Sequence, residues 1–137
     1  MERPTSAGEI EDLVRARYPL IYVVSPEERR VEDALAAIGE KRNRKVLSWS
    51  CTTGLISRDQ SEVYGDIRDP LRALEFIANY EDDAMFIMRD FHPYLQDPVV
   101  TRRLRDMNHD FKRGSSYRRH IVLLSGCLLY TSDAADD

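Results

Sequence analysis

Cysteine is scarce in this sequence: Cys51 and Cys127 are the two in 137 residues, and neither lies in a Cys-x-x-Cys or Cys/His ligand spacing. That excludes a disulfide framework and a zinc knuckle, and it fits a reducing, cytoplasmic setting. Long hydrophobic runs are absent as well. No stretch reaches the roughly 20 apolar residues of a membrane span, and the charged start Met1-Glu2-Arg3 leads into no secretory core. A Gly-x-x-x-x-Gly-Lys-Ser/Thr loop is also missing. Such a loop turns backbone N–H groups toward phosphates, with a lysine for their charge and a hydroxyl for magnesium. What is present is a chain 42% hydrophobic and 32% charged, enough to build one globular core.

The ends differ from the middle. Residues 1–8 are rich in Pro, Thr, Ser and Gly without periodicity and are expected to form a flexible leader. The last eleven residues, CLLYTSDAADD (127–137), fit nothing that should follow a buried strand. They resemble the conceptual translation of a transposase-type sequencing adapter, so a non-native tail is expected there. Without its Asp133, Asp136 and Asp137 the chain carries 21 acids against 20 basic residues. The expectation is a nearly neutral domain over 9–126 that stops short of whatever followed.

Between these ends the hydrophobic period alternates. Ile10, Leu13 and Val14 mark a short amphipathic helix, and Leu20–Val24 (LIYVV) reads as a strand buried on both faces. Ser25-Pro26-Glu27-Glu28 reads as a serine-capped helix start, followed by an apolar face of Val31, Ala34, Leu35 and Ile38. Val46–Trp49 is a second strand. Ser50–Arg68, polar and holding Gly54 and Gly65, reads as a long irregular excursion. Asp69-Pro70 and Asp97-Pro98 each start a helix, separated by the strand Ala84–Met88, and Ile121–Leu124 closes the series. Gly114 is expected to stop the last helix. Strands alternating with helices predict an α/β fold in three layers: a mainly parallel sheet of about four strands with helices on both faces.

In such a sheet, ligands bind outside the carboxyl ends of the strands. Asp90 falls there, just past Ala84–Met88, where a nucleotide-hydrolysing fold places a magnesium-directed acid. The first strand leads into SPEERRVED, however, with Glu27 and Glu28 at the helix N-terminus where a phosphate would sit. Asp90 therefore reads either as a site residue or as an ordinary loop residue. His92 and Tyr94, flanking Pro93, read either as partner contacts or as a loop closing over the sheet. From Arg102 to Arg119 there are seven basic residues (Arg102, Arg103, Arg105, Lys112, Arg113, Arg118, Arg119) against Asp106 and Asp110. That excess suits nucleic acid or an acidic partner, or else a solvated helix face. No aromatic interleaving accompanies it. His109 and His120 lack ligand partners, and Trp49 and Cys51 read as core and rim.

The segments VRARYPLIYVVSPEERRVEDAL, LSWSCTTGL, DPLRALEFI, AMFIMRDFHPYL and VVTRRLRDM together resemble the N-terminal region of bacterial AAA-family ATPases also encoded in algal plastid genomes. RARYPLIY and RDFHPYL carry the most specific part of the likeness, which runs from about Leu13 to Ser125. The resemblance implies a P-loop-like core lacking Walker A, followed in its family by a separate AAA module with the nucleotide machinery. It implies that ATP and magnesium belong to that module, that no catalytic, cofactor-binding or metal residue lies in this domain, and that the parent assembles as a ring. The expected role is a non-catalytic partner-, substrate- or assembly-engaging domain, with Asp90, His92, Tyr94, Arg102, Arg103 and Arg105 as candidate partner contacts. The alternatives are a nucleic-acid-binding module on the 102–119 stretch and an independent hydrolase using Asp90 and His92.

Overall fold

A computed structural model describes residues 7–57, 63–113 and 116–126 of the chain. Five strands form one sheet in the order β1-β5-β4-β2-β3. They are β1 (Leu20–Val24), β2 (Lys45–Ser50), β3 (Gly54–Ser57), β4 (Ala84–Arg89) and β5 (Arg119–Ser125). The pairs β1–β5, β5–β4 and β4–β2 are parallel, and β3 runs antiparallel to β2 at one edge. The helices are α1 (Ala7–Arg15), α2 (Glu28–Lys41), α3 (Pro70–Ala78) and α4 (Pro98–Lys112), with a 3₁₀ turn at His92–Gln96.

The three layers follow from alternation along the strands. Met85, Ile87, Val122 and Leu124 face one way and pack with Ile10 and Val14 of α1 and Val31, Leu35 and Ile38 of α2. Phe86, Met88, Ile121 and Leu123 face the other way, onto Leu74 and Ile77 of α3 and Val100, Leu104 and Met107 of α4. Strands β4 and β5 lie in the middle, covered on both faces, which is why their sequences are unbroken apolar runs.

Strand β1 departs from the expectation of burial on both faces. Ile21 and Val23 are buried, but Tyr22 is 43% exposed, because β1 is an edge strand. A phenol tip on one side lets a β-branched run serve at an edge.

The excursion over 50–68 contains a fifth strand. Ser50 pairs with Gly54 across a Cys51–Thr53 loop. The Ser50 hydroxyl accepts from the Thr53 N–H at 3.1 Å, and Gly54 sits at φ +71°. A three-residue hairpin loop closed by a left-handed glycine is a standard short connection. Leu55 is then buried, and the Trp49 indole N–H donates to the Ile67 carbonyl at 2.8 Å, tying the return segment to the sheet.

Helix starts show where local chemistry was decisive. Asp69 and Asp97 both cap as expected, accepting from the N–H of Arg72 and Val99 at 3.0 and 2.9 Å. Ser25 does not cap α2. Its hydroxyl accepts from the Glu27 N–H at 3.1 Å in a tight turn, and the helix begins at Glu28 with Glu27 as an N-cap lacking a side-chain bond. Pro26 thus lies outside the helix, and Glu28 occupies the first turn rather than a capping box. Helix α1 already includes residues 7 and 8. The rest of the expected leader, Gly114, and the tail at 127–137 lie outside the described residues.

Candidate functional site

At the carboxyl edge of the parallel strands, β1 is followed by Ser25, whose N–H donates to the Ser125 carbonyl at 2.9 Å. Strand β4 ends in Arg89, and Asp90 turns the chain out of the sheet. Asp90 holds φ +51°, donates its N–H to Leu124 O at 2.9 Å and exposes its carboxylate. An aspartate tolerates this left-handed conformation better than most residues. Asp90 is therefore first a turn residue, placed where the sheet's ligand crevice would open.

The charged groups beside it are not legible from local spacing. Glu32, on the second turn of α2, is 6% exposed, and Arg89 binds it through a two-pronged contact. The Arg89 Nη2–Glu32 Oε1 bond is 2.6 Å, and Nε donates to the other oxygen. Such a fork fixes both orientation and charge. Glu28, one turn earlier, has its carboxyl pushed up from the usual range by burial and then by the negative charges of Asp90 and Glu32, against the pull of Arg89. The N-terminus of α2 thus presents Glu27, Glu28 and Glu32, with Asp90 beside them. The positive end of a helix that would draw a phosphate is already answered by carboxylates. A phosphate brought to this edge would meet the negative charge of these carboxylates.

Beyond Asp90 the chain folds back over the sheet end. Phe91 is buried, and the rings of Trp49, Phe91 and Tyr94 meet edge to face, with centroids 5.6 to 6.0 Å apart. The Tyr94 hydroxyl is pushed above the usual phenol range, first by its hydrogen bond with the Cys51 side chain and then by burial. His92 is half-buried, with Nδ1 unpartnered. No hydrogen bond joins Asp90 to His92 among the described residues. The HPYL segment is thus mainly a plug of aromatic packing, its polar tips at the rim.

The arginines of α4 form a separate group. Arg102 pairs with Asp106 at 2.9 Å along the helix, and Arg103 forks onto Glu75 at 2.7 and 3.0 Å, stitching α4 to α3. Arg105 is exposed and pairs with no carboxylate among the described residues. Together with Asp106, His109 and Asp110 they line a shallow surface cleft of about 450 Å³. Among the described residues, no hydrogen bond or ion pair joins them to Asp90, His92 or Tyr94. The basic stretch 102–119 is split further by the α4–β5 turn, which carries Arg118 and Arg119 to the amino-terminal edge of the sheet. Arg119 there donates to the carbonyls of Ile77, Ala78 and Tyr80 at 2.8 to 3.2 Å, closing the end of α3.

No helix among the described residues is long and apolar enough to cross a membrane, and no His/Cys/Asp/Glu group among them could hold a metal ion. No solved structure matches the chain. Its sequence is 35% identical over 127 residues to an uncharacterized AAA domain-containing protein, ycf46, of Guillardia theta, covering 90% of this chain and 24% of that protein. The ycf46 protein of Trieres chinensis is 35% identical over 103 residues, covering 73% of this chain and 20% of the relative. The chain thus spans about a quarter or less of the length of these relatives. Residues 6–131 match the family model described as the N-terminal domain of SpoVK-like AAA ATPases, and the chain belongs to that family.

Proposed function

We propose that this domain is a non-catalytic, partner-engaging or assembly region of an AAA ATPase whose ATP and magnesium site lies in a separate module of the parent. One observation carries the proposal: the carboxyl edge of the sheet, where an α/β nucleotide domain binds phosphate, is filled by Glu28, the Glu32–Arg89 pair and Asp90. Partner contact then falls to groups left exposed near that edge and on α4. Asp90 and Arg105 have free charges, His92 and Tyr94 offer polar tips, and Arg102 and Arg103 carry charge already shared with Asp106 and Glu75. The downstream AAA module is the first partner proposed, within a ring of parent subunits. The exposed free thiol of Cys51 supports a reducing, cytoplasmic setting.

The other readings have less behind them. A hydrolase built on Asp90 and His92 lacks the hydrogen bond that orients an acid–base pair. A nucleic-acid surface along 102–119 would need Arg102 and Arg103 to leave their carboxylates, and Arg118 and Arg119 lie past the turn that ends α4.

Titration calorimetry with Mg·ATP and a phosphate-release assay test the non-catalytic half. The expected result is no turnover, and no binding that Asp90→Ala removes. Asp90-dependent binding at micromolar ATP overturns the proposal.

A further inference from the structure

The opposite edge of the sheet has the charge that the carboxyl edge lacks. Lys41, Arg42, Asn43, Arg44, Asp83 and Arg118 line a cleft of about 300 Å³ there, four cations against one acid. Arg17 and His120 line an adjoining cleft that shares Arg118. A volume near 300 Å³ is at the small end of the range for ligand pockets.

Basic residues gather at this edge for an ordinary reason, since α2, α3 and α4 all point their carboxyl ends toward it and cations complement those dipoles. Some of the charge is accounted for in that way or by direct partners. Lys41 and Arg42 both reach Glu11, at 3.0 and 3.4 Å, and Arg119 is spent on the carbonyls of α3. Arg44, Arg118 and Arg17 are left over: among the described residues none of their side chains forms an ion pair, and the Asp83 carboxylate accepts the Arg118 backbone N–H at 2.8 Å. Arg44 is the sharpest case. It is only 9% exposed, its Nε has no hydrogen-bond partner, and its side chain's one hydrogen bond among the described residues is a weak one from Nη1 to Arg42 O at 3.4 Å. His120, 2% exposed, hydrogen-bonds Tyr18 O through Nδ1 at 2.9 Å and leaves Nε2 unpartnered. Burial lowers the proton affinity of Arg44, and Arg118, Arg42 and Arg17 lower it further while Asp83 opposes them. A buried guanidinium among like charges is costly unless something compensates it.

The local backbone fixes Arg44 in this position. Asn43 takes φ +58°, the Arg44 N–H donates to Gly39 O at 2.7 Å and the Asn43 N–H to Glu40 O at 3.3 Å. This is the paired closure that ends a helix on a left-handed residue, with asparagine in place of the usual glycine. It turns Arg44 back across the end of α2 rather than out along β2.

We propose that this amino-edge cleft binds an oxyanion, the phosphate or diphosphate group of a small ligand, with Arg44 and Arg118 as its donors. A planar guanidinium presents the forked donors that phosphate oxygens match, and a compact concave group of them suits a small ligand better than a long nucleic acid. The site is independent of the carboxyl edge, so its failure and that of the proposed function are separable.

Calorimetric titration of the chain with inorganic pyrophosphate and with adenosine diphosphate, at constant ionic strength set by chloride, tests it. Saturable one-site binding is expected, weakened roughly tenfold or more by Arg118→Ala and by Arg44→Met, and unchanged by Arg105→Ala or Asp90→Ala. Equal affinity for the two probes points to inorganic phosphate, and tighter adenosine diphosphate binding to a phosphate ester. Arg118 is exposed, so its variant gives an answer even if Arg44→Met folds poorly. Absence of binding overturns the proposal, as does binding that survives both substitutions. A single-stranded oligonucleotide whose binding pyrophosphate does not displace, with neither small probe bound, overturns it in favour of nucleic acid.

Discussion

Arg89 at the end of β4 and Arg44 just before β2 are both drawn in from solvent at opposite ends of one sheet, yet only Arg89 meets a carboxylate. The carboxyl edge, where this architecture ordinarily recruits phosphate, is closed by acids and by one forked ion pair. The amino edge faces the negative ends of the helices, yet holds more positive charge than those ends and Glu11 answer. The comparison separates two sources of anion affinity that coincide in a phosphate loop: a bare helix N-terminus and a cluster of cationic side chains. Here the first is blocked and the second has been moved to the far side of the sheet.

The largest expected contrast comes from making the same substitution at both ends. Arg89→Met leaves Glu32, whose side chain is 8% exposed, without its partner, and should lower unfolding stability by about 3 kcal/mol in urea melts. Arg44→Met removes a cation that burial and its neighbours already disfavour, so it should be neutral or stabilising, within about 1 kcal/mol. Equal losses at the two ends would erase the distinction. Replacing both members of the carboxyl-edge pair, as Glu32→Leu with Arg89→Met, should recover much of the loss, because no charge is then left buried alone.

The next effect in size concerns the turn that holds Arg44. A methyl group on Gly39 would stand 2.4 Å from Val46 Cγ2 and 3.0 Å from Arg44 O, so the helix end and β2 must part to admit it. Gly39→Ala should therefore cost about 1–3 kcal/mol despite alanine's better helix propensity, and should weaken pyrophosphate binding as well. A stability gain from this change would show that the close approach is not needed.

How much of this contrast can be read along the chain depends on how far apart its parts lie. The Asp69-Pro70 and Asp97-Pro98 starts are legible because cap and proline act within one turn. The apolar runs of β4 and β5 announce central strands for a similarly local reason. Ser25-Pro26 misleads because its serine, three residues before the helix, closes a turn onto the Glu27 N–H, a choice that local spacing leaves open. Strand β3 is hidden by the polar Cys51–Thr53 loop, although CTTG between two apolar stretches is a hairpin signal. The Glu32–Arg89 pair spans 57 residues and joins a helix to a strand, so no spacing rule finds it. The amino-edge group is still more scattered. Arg17, Arg44, Asp83 and Arg118 come from four separate helix–strand junctions and His120 from the start of β5, and only the parallel sheet brings them together.

Acidity provides a smaller effect, opposite in sign at the two ends. His120 is held below its unfolded value of about 6.5, first by burial and then by Arg44 and Arg118, with Tyr18 O and Asp83 opposing. A depressed histidine favours the folded state above its unfolded value, and that contribution is lost as pH falls from about 6.5 through the folded value, at no more than about 1.4 kcal/mol per pH unit. His120→Gln should flatten the fall in thermal midpoint between pH 7 and pH 5. An unchanged slope would remove His120 from the acid response.

Glu28 should show the reverse, and it is the smallest and most specific of these effects. Its carboxyl is raised in the folded chain by burial, Asp90 and Glu32, so its charged form is disfavoured by folding. A raised carboxyl contributes stability only at low pH, and that contribution disappears as pH rises through its folded value. At pH 7 the charge is therefore a cost to the fold, offset in part by the dipole of α2 on which it sits. Glu28→Gln keeps the shape and removes the repulsion, and should raise stability at pH 7 by a few tenths of a kcal/mol while changing nothing below about pH 4. The same substitution should not create phosphate binding at the carboxyl edge, because Glu32, Asp90 and the missing glycine loop remain. If Glu28→Gln alone admitted pyrophosphate there, the edge would be a phosphate site held shut by one carboxylate.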